Sequence, residues 1–169
     1  MAHGFTEYIK DLSAYRKNLD AHLLDTNVQT NFKLKEFQCK CGGKSCNGFS
    51  TNVSSEQILK VADILQTIRD EFGRAMTINS GIRCATHNKN VGGVSSSQHL
   101  YKNGCGAADW VFGSLGGAKT VDEFMKWFKK HPQLQWSVGV YTWGIHVDNR
   151  GIRQTFNGNV TAARFNAVK

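Results

Sequence analysis

Residues 136–156 read WSVGVYTWGIHVDNRGIRQTF, and this stretch decides the fold class. Three strand-like runs, Trp136–Tyr141, Gly144–Asp148 and Gly151–Phe156, are separated by two residues each. Breaks that short between β-rich runs are what hairpins require, so the spacing predicts an antiparallel meander turning at Thr142-Trp143 and Asn149-Arg150. Side chains alternate across a strand. In the middle run His146 and Asp148 therefore share one face, while Ile145 and Val147 enter the other.

Upstream, Ala107–Phe112 (AADWVF) reads as a buried strand and Met76–Cys84 (MTINSGIRC) as a strand entering a turn. Helices lie between and before them. Ser54 followed by Gln57 forms a capping box, after which Ile58, Val61, Leu65, Ile68 and Phe72 keep one face apolar until Gly73. Thr120 with Glu123 reads as the cap of a further helix bearing Val121, Phe124, Trp127 and Phe128, ended before Pro132. Residues 6–24 place Tyr8, Ile9, Leu12, Tyr15 and Leu19 near helical spacing behind Thr6, and residues 38–53 form a Gly- and Asn-broken loop. Together these elements predict an α+β fold, a small antiparallel sheet with helices packed around it and a site in a cleft. At 169 residues the chain closes one domain, with 1–30 as a helical extension and 31–169 as the core.

One Pro against 17 Gly, without any biased tract, excludes a collagen-like rod or a Pro-rich linker. Lys and Arg number 21 against 13 Asp and Glu, and the resulting +8 draws the chain toward polyanions such as nucleic acid, anionic lipid or a phosphate-rich cell wall. Glu7, Lys10, Asp11, Arg16, Lys17 and Asp20 interrupt the first thirty residues, so no secretory core is expected there, nor any bilayer span elsewhere. Synthesis in the cytosol is the expectation. Five cysteines, Cys39, Cys41, Cys46, Cys84 and Cys105, fit reduced thiols or a metal site better than a disulfide framework.

Asp109 sits among Ala107, Trp110 and Val111, where an unpaired carboxylate is expensive. It must meet a cation, accept several backbone hydrogen bonds or bind metal. His99 lies ten residues before it and His146 shares a strand face with Asp148. Two imidazoles and a carboxylate suit Zn²⁺, and three protein ligands leave a fourth position for water, as in catalytic sites. The alternative from the residues alone is a capped turn at His99, an ion-paired Asp109 and a satisfied surface His146.

FKLKEFQCKCGG at 32–43, LQTIRDEFGRAMTINSGIRCATHNKNVGGVSSSQH at 65–99, AAD at 107–109 and GIHVD at 144–148 resemble the family of zinc-dependent D-alanyl-D-alanine carboxypeptidases and peptidoglycan endopeptidases. The resemblance covers roughly residues 31–155 and implies zinc ligands at His99, Asp109 and His146. It also implies that Arg83 holds a substrate carboxylate, as a guanidinium fork suits one, and that Ser97 hydrogen-bonds at the site. Two departures stand out. The segment from Leu100 to Gly106 lengthens the usual gap between the first His and the Asp, and Trp143 occupies the position where many members carry an acidic base. Asp148 is then a candidate either to accept a proton from a metal-bound water or to fix His146 through its second nitrogen; His87 is a further proton carrier to weigh, against a structural role in a turn. Trp143 is a candidate cleft wall.

Cys39, Cys41 and Cys46, with Cys84, are either a structural zinc site or reduced, partly buried thiols. The expected function is hydrolysis of an amide in peptidoglycan stem peptides by a zinc endopeptidase of phage or prophage type, released through a holin-type pore or carried on a virion. The rivals are a D-Ala-D-Ala carboxypeptidase or dipeptidase, and a zinc-stabilised nucleic-acid-binding module; the chain shows no aromatic-basic interleaving of a nucleic-acid motif.

Overall fold

The computed structural model describes Leu12, residues 24–49 and residues 53–169. Apart from Leu12 and Leu24, the helix expected over 6–24 lies outside the described residues. A short hairpin, β1 (Asn27–Gln29) and β2 (Phe32–Lys33), leads through a 3-10 turn at Leu34–Phe37 into an irregular loop. Helix α1 (Ser55–Phe72) follows, with Ser54 Oγ accepting from the Gln57 amide and Gly73 closing it at φ 59°. Both end signals act as the sequence predicts. Among the described residues no helix is long and apolar enough to cross a membrane.

The principal sheet has five strands in the order β3-β4-β6-β5-β7. They are β3 (Met76–Ser80), β4 (Ala107–Phe112), β5 (Ser137–Tyr141), β6 (Gly144–Asp148) and β7 (Gln154–Asn157). Ala108, Trp110, Phe112, Ile145 and Val147 are buried on one side. Helix α3 (Gly116–Lys129) packs there, with the Phe124 and Trp110 rings 5.2 Å apart edge to face, and Phe72 of α1 meets Phe112 at 4.8 Å. Each such ring contributes about 1.5–3 kcal/mol by leaving water. Two short helices, α2 (Ala85–Asn90) and α4 (Ala162–Val168), complete the α+β architecture.

Two expectations need correction. The hairpin of β5 and β6 forms, but the third run does not continue the meander: β7 starts at Gln154 and pairs in parallel with β5, so the sheet is mixed. The free edge of β6 is already taken by β4, with Asp109 opposite His146. Residues 149–153 therefore cross to the outer side of β5. Arg153 anchors the crossing, its guanidinium 3.9 Å above the Phe128 ring and donating to the carbonyls of Phe128, His131 and Leu134. The second correction concerns α3, which begins at Gly116 rather than at a Thr120 cap. Thr120 is fully buried inside the helix, where its hydroxyl donates to Gly116 O (2.7 Å) and accepts from Phe112 N (3.0 Å), tying the helix to the end of β4.

Candidate active site

Antiparallel register sets the first pair of groups. Asp109 of β4 and His146 of β6 are cross-strand partners, so their side chains leave the same face side by side. His99 arrives from a 3-10 turn at Gln98–Leu100, capped by Ser97 Oγ on the His99 amide (3.3 Å). The segment after β3 clamps this turn: Arg83 N donates to His99 O (2.7 Å), and His99 Nδ1 lies 2.6 Å from Gly81 O. Gly81 is required there because a Cβ would stand 2.7 Å from the Phe37 carbonyl oxygen and 2.8 Å from its Cα. The lengthened segment after His99 folds away from the site. Tyr101 and Asn103 adopt left-handed φ of 52° and 56°, and the Tyr101 hydroxyl donates to Ala107 O.

Three atoms converge. His99 Nε2 is 3.0 Å from Asp109 Oδ1 and 3.2 Å from His146 Nδ1, which is itself 2.8 Å from Asp109 Oδ1. The partners of the other ring nitrogens assign the tautomers. Gly81 O can only accept, so His99 Nδ1 carries the hydrogen; Asp148 Oδ2, 3.0 Å from His146 Nε2, assigns that ring in the same way. Burial lowers the His146 pKa, but the Asp109 and Asp148 carboxylates outweigh it and raise it; once both rings are neutral, as ligation requires, two lone pairs and a carboxylate oxygen face one another with no proton between them. A cation resolves this arrangement. Tetrahedral zinc at about 2.0–2.2 Å from N and O ligands separates those ligands by about 3.3 Å, close to the observed triangle. The donor set and its spacing fit zinc with one position left for solvent or substrate.

All three side chains are buried, His99 at 3%, Asp109 at 5% and His146 at 6% exposure. Burial pushes the His99 pKa down, against the charge of Asp109, and so favours the neutral, ligating ring. For Asp109, burial pushes the pKa up, but the close contacts with the His99 and His146 rings outweigh it and hold the carboxyl well below the usual range.

Asp148 is fully buried, and both of its oxygens are engaged. Oδ1 accepts from Arg150 N (3.2 Å) and Nε (2.7 Å), and Oδ2 accepts from Arg150 Nη2 (2.6 Å) as well as from His146. Burial raises its pKa, but the Arg150 and His146 hydrogen bonds bring it down to about 2. Of the two roles the sequence left open for Asp148, this geometry suits orienting His146. Asp148→Asn is expected to weaken zinc binding about 10–100-fold, the usual effect of losing a carboxylate behind a ligating imidazole. Chelator competition measures it, and an unchanged affinity would remove this role.

The triangle opens into a cleft of about 670 Å³. Arg83, Ser97 and Trp143 line it together with His99, Asp109 and His146, whereas His87, on α2, does not. Arg83 donates through Nη2 to Asp109 Oδ2 (2.5 Å) and through Nε to Ser80 Oγ (2.8 Å). Trp143 stacks on Tyr141, with centroids 4.6 Å apart and planes 23° from parallel, as one wall. Among the described residues lining the cleft, Asp109 is the one carboxylate, so nothing there replaces the acidic group whose position Trp143 occupies. Sequence reading missed Tyr141, Arg150 and the Gly81 carbonyl. The first two lie two residues from Trp143 and Asp148 and were within reach; a backbone carbonyl carries no residue-type signal.

Residues 30–148 match the Peptidase M15 family, a span from the β1–β2 hairpin to the end of β6 that holds Arg83, His99, Asp109, His146 and Asp148. The chain belongs to the Peptidase M15 family. This is the zinc peptidase family that its motifs resemble. The chain is also similar to the zinc D-Ala-D-Ala carboxypeptidase of Streptomyces albus G, 45% identical over 53 residues, which are 31% of this chain and 20% of that protein. The match thus spans about a fifth of that relative's length.

Proposed function

We propose that this M15 peptidase is a zinc-dependent hydrolase of an amide bond in peptidoglycan stem peptides, acting as a lytic endopeptidase. The observation that carries the reading is the convergence of His99 Nε2, Asp109 Oδ1 and His146 Nδ1 on one point in an open cleft beside Arg83. When bound, zinc supplies Lewis acidity, polarising a carbonyl and lowering the pKa of a water to about 7. Gly81 O and Asp148 turn the ring N–H groups outward, which keeps both lone pairs aimed inward. Arg83 holds Asp109 Oδ2 and leaves Oδ1 for the metal. The same guanidinium lines the cleft, where its fork offers further N–H donors to a substrate carboxylate. The stacked Tyr141 and Trp143 rings exclude water along one side and give the small side chains of a stem peptide an apolar surface.

A cleft of about 670 Å³ has room for several residues of a peptide ligand. The net charge of +8 favours retention on an anionic wall. The setting we propose is a phage or prophage enzyme that meets the wall after release through a holin-type pore or as a virion component. The second reading, a D-Ala-D-Ala carboxypeptidase or dipeptidase, is favoured by the carboxylate-binding character of Arg83. Incubating defined wall fragments and weighing the products separates the two. Endopeptidase action splits internal, cross-linking amides and is lost on chelation and restored by zinc, whereas release of terminal D-Ala alone would select the second reading. Products unchanged by chelation would overturn the zinc assignment.

A further inference from the structure

Apart from the triangle, four cysteines meet on the other side of the segment that carries Arg83. The sulfurs of Cys39, Cys41, Cys46 and Cys84 all lie within 4.8 Å of one another, and Cys41 and Cys46 are 3.5 Å apart. None of the four is in a disulfide, whose sulfurs lie at about 2.05 Å. Four thiolates on a tetrahedral zinc, each at about 2.3 Å, stand about 3.8 Å from one another. The cluster already has those dimensions.

Its surroundings suit anionic sulfur. The Cys84 amide donates to Cys39 Sγ (3.3 Å) and the His87 amide to Cys84 Sγ (3.4 Å). Gly42 and Gly43 take φ of 64° and 78°, and this left-handed turn lets the chain double back so that Cys41 and Cys46 face each other. The bond from His87 also caps α2, and amides directed at two of the sulfurs suit a metal-bound thiolate set.

We propose that Cys39, Cys41, Cys46 and Cys84 bind a structural zinc ion, separate from the ion at His99, Asp109 and His146. All four positions are filled by protein, so this ion is closed to substrate. Its task is a staple. Three ligands come from the loop after the 3-10 turn and the fourth follows Arg83 directly, so the ion ties that loop to the segment whose Gly81 carbonyl orients His99 and whose Arg83 holds Asp109. Other ties between the two segments are Ile82 N on Phe37 O (2.8 Å) and the close approach of Gly81 to Phe37, two residues before Cys39.

The test is cobalt substitution of the full chain, purified under reducing conditions. Four thiolates on cobalt(II) give an intense sulfur-to-metal charge-transfer band in the near ultraviolet, which a His₂Asp site cannot produce. We expect that band, about two metal equivalents per chain by elemental analysis, and protection of the four thiols from a thiol reagent until the metal is removed. Cys84→Ser, which leaves three thiolates, is expected to weaken the band while His146→Ala leaves it in place, so the two metal sites fail independently. Because Cys84→Ser can unfold locally, the wild-type spectrum decides the matter by itself. A cobalt-loaded wild-type chain without the charge-transfer band, or with four thiols that react at once, would overturn the proposal.

Discussion

His146→Ala is expected to lower kcat/KM on a wall peptide by more than about 10³-fold, because an uncoordinated water, with a pKa near 15.7, is a poor nucleophile at neutral pH. The variant also isolates the metal from the fold. Asp148 keeps Arg150 on both oxygens, and Asp109 keeps Arg83, so no buried charge is stranded. The loss of one ring at the centre of β6 is expected to destabilise by about 1–3 kcal/mol, well short of unfolding a domain of this size. Zinc at the triangle should fall to background while the thermal transition survives. Activity within tenfold of wild type would show that His146 does not hold the metal.

Arg83→Ala is expected to reduce kcat/KM by about 10²–10³-fold through a different route. His99, Asp109 and His146 all remain, so the variant keeps its metal. What it loses is the bond from Nη2 to Asp109 Oδ2 and the fork at the cleft wall. The effect should therefore fall mainly on KM for substrates ending in a free carboxylate and less on substrates lacking one. Arg83→Lys should rescue poorly, since an ammonium cannot hold Asp109, Ser80 and a substrate carboxylate with one planar fork. A uniform loss across both substrate types would confine Arg83 to steadying Asp109.

Much of this site could be read along the chain because its geometry follows from local rules. Period-two alternation puts His146 and Asp148 on one face, and an Asp inside AADWVF announces a buried carboxylate in need of a partner. Helix α1 was legible at both ends, since Ser54, Gln57 and Gly73 are signals that act within one turn. Partner choice between strands is different. That β6 already has β4 on its free edge is a fact about residues thirty-five or more positions apart, and it alone sends β7 to the outer side of β5. The Thr120 and Glu123 pair misled for a related reason. The capping-box residues are present, but the tight turn at Gly116, at φ 70°, starts the helix earlier and leaves the Thr120 hydroxyl to secure β4. The division of labour between Asp148 and a general base was likewise hidden, because only the fold shows Arg150 covering both carboxylate oxygens.

Anomalous scattering across the zinc absorption edge, on crystals of the zinc-loaded protein, locates the ion itself. A peak is expected within about 2.0–2.2 Å of His99 Nε2, Asp109 Oδ1 and His146 Nδ1 together. A map with no zinc peak among those three atoms, in crystals grown with zinc present, would contradict the zinc assignment.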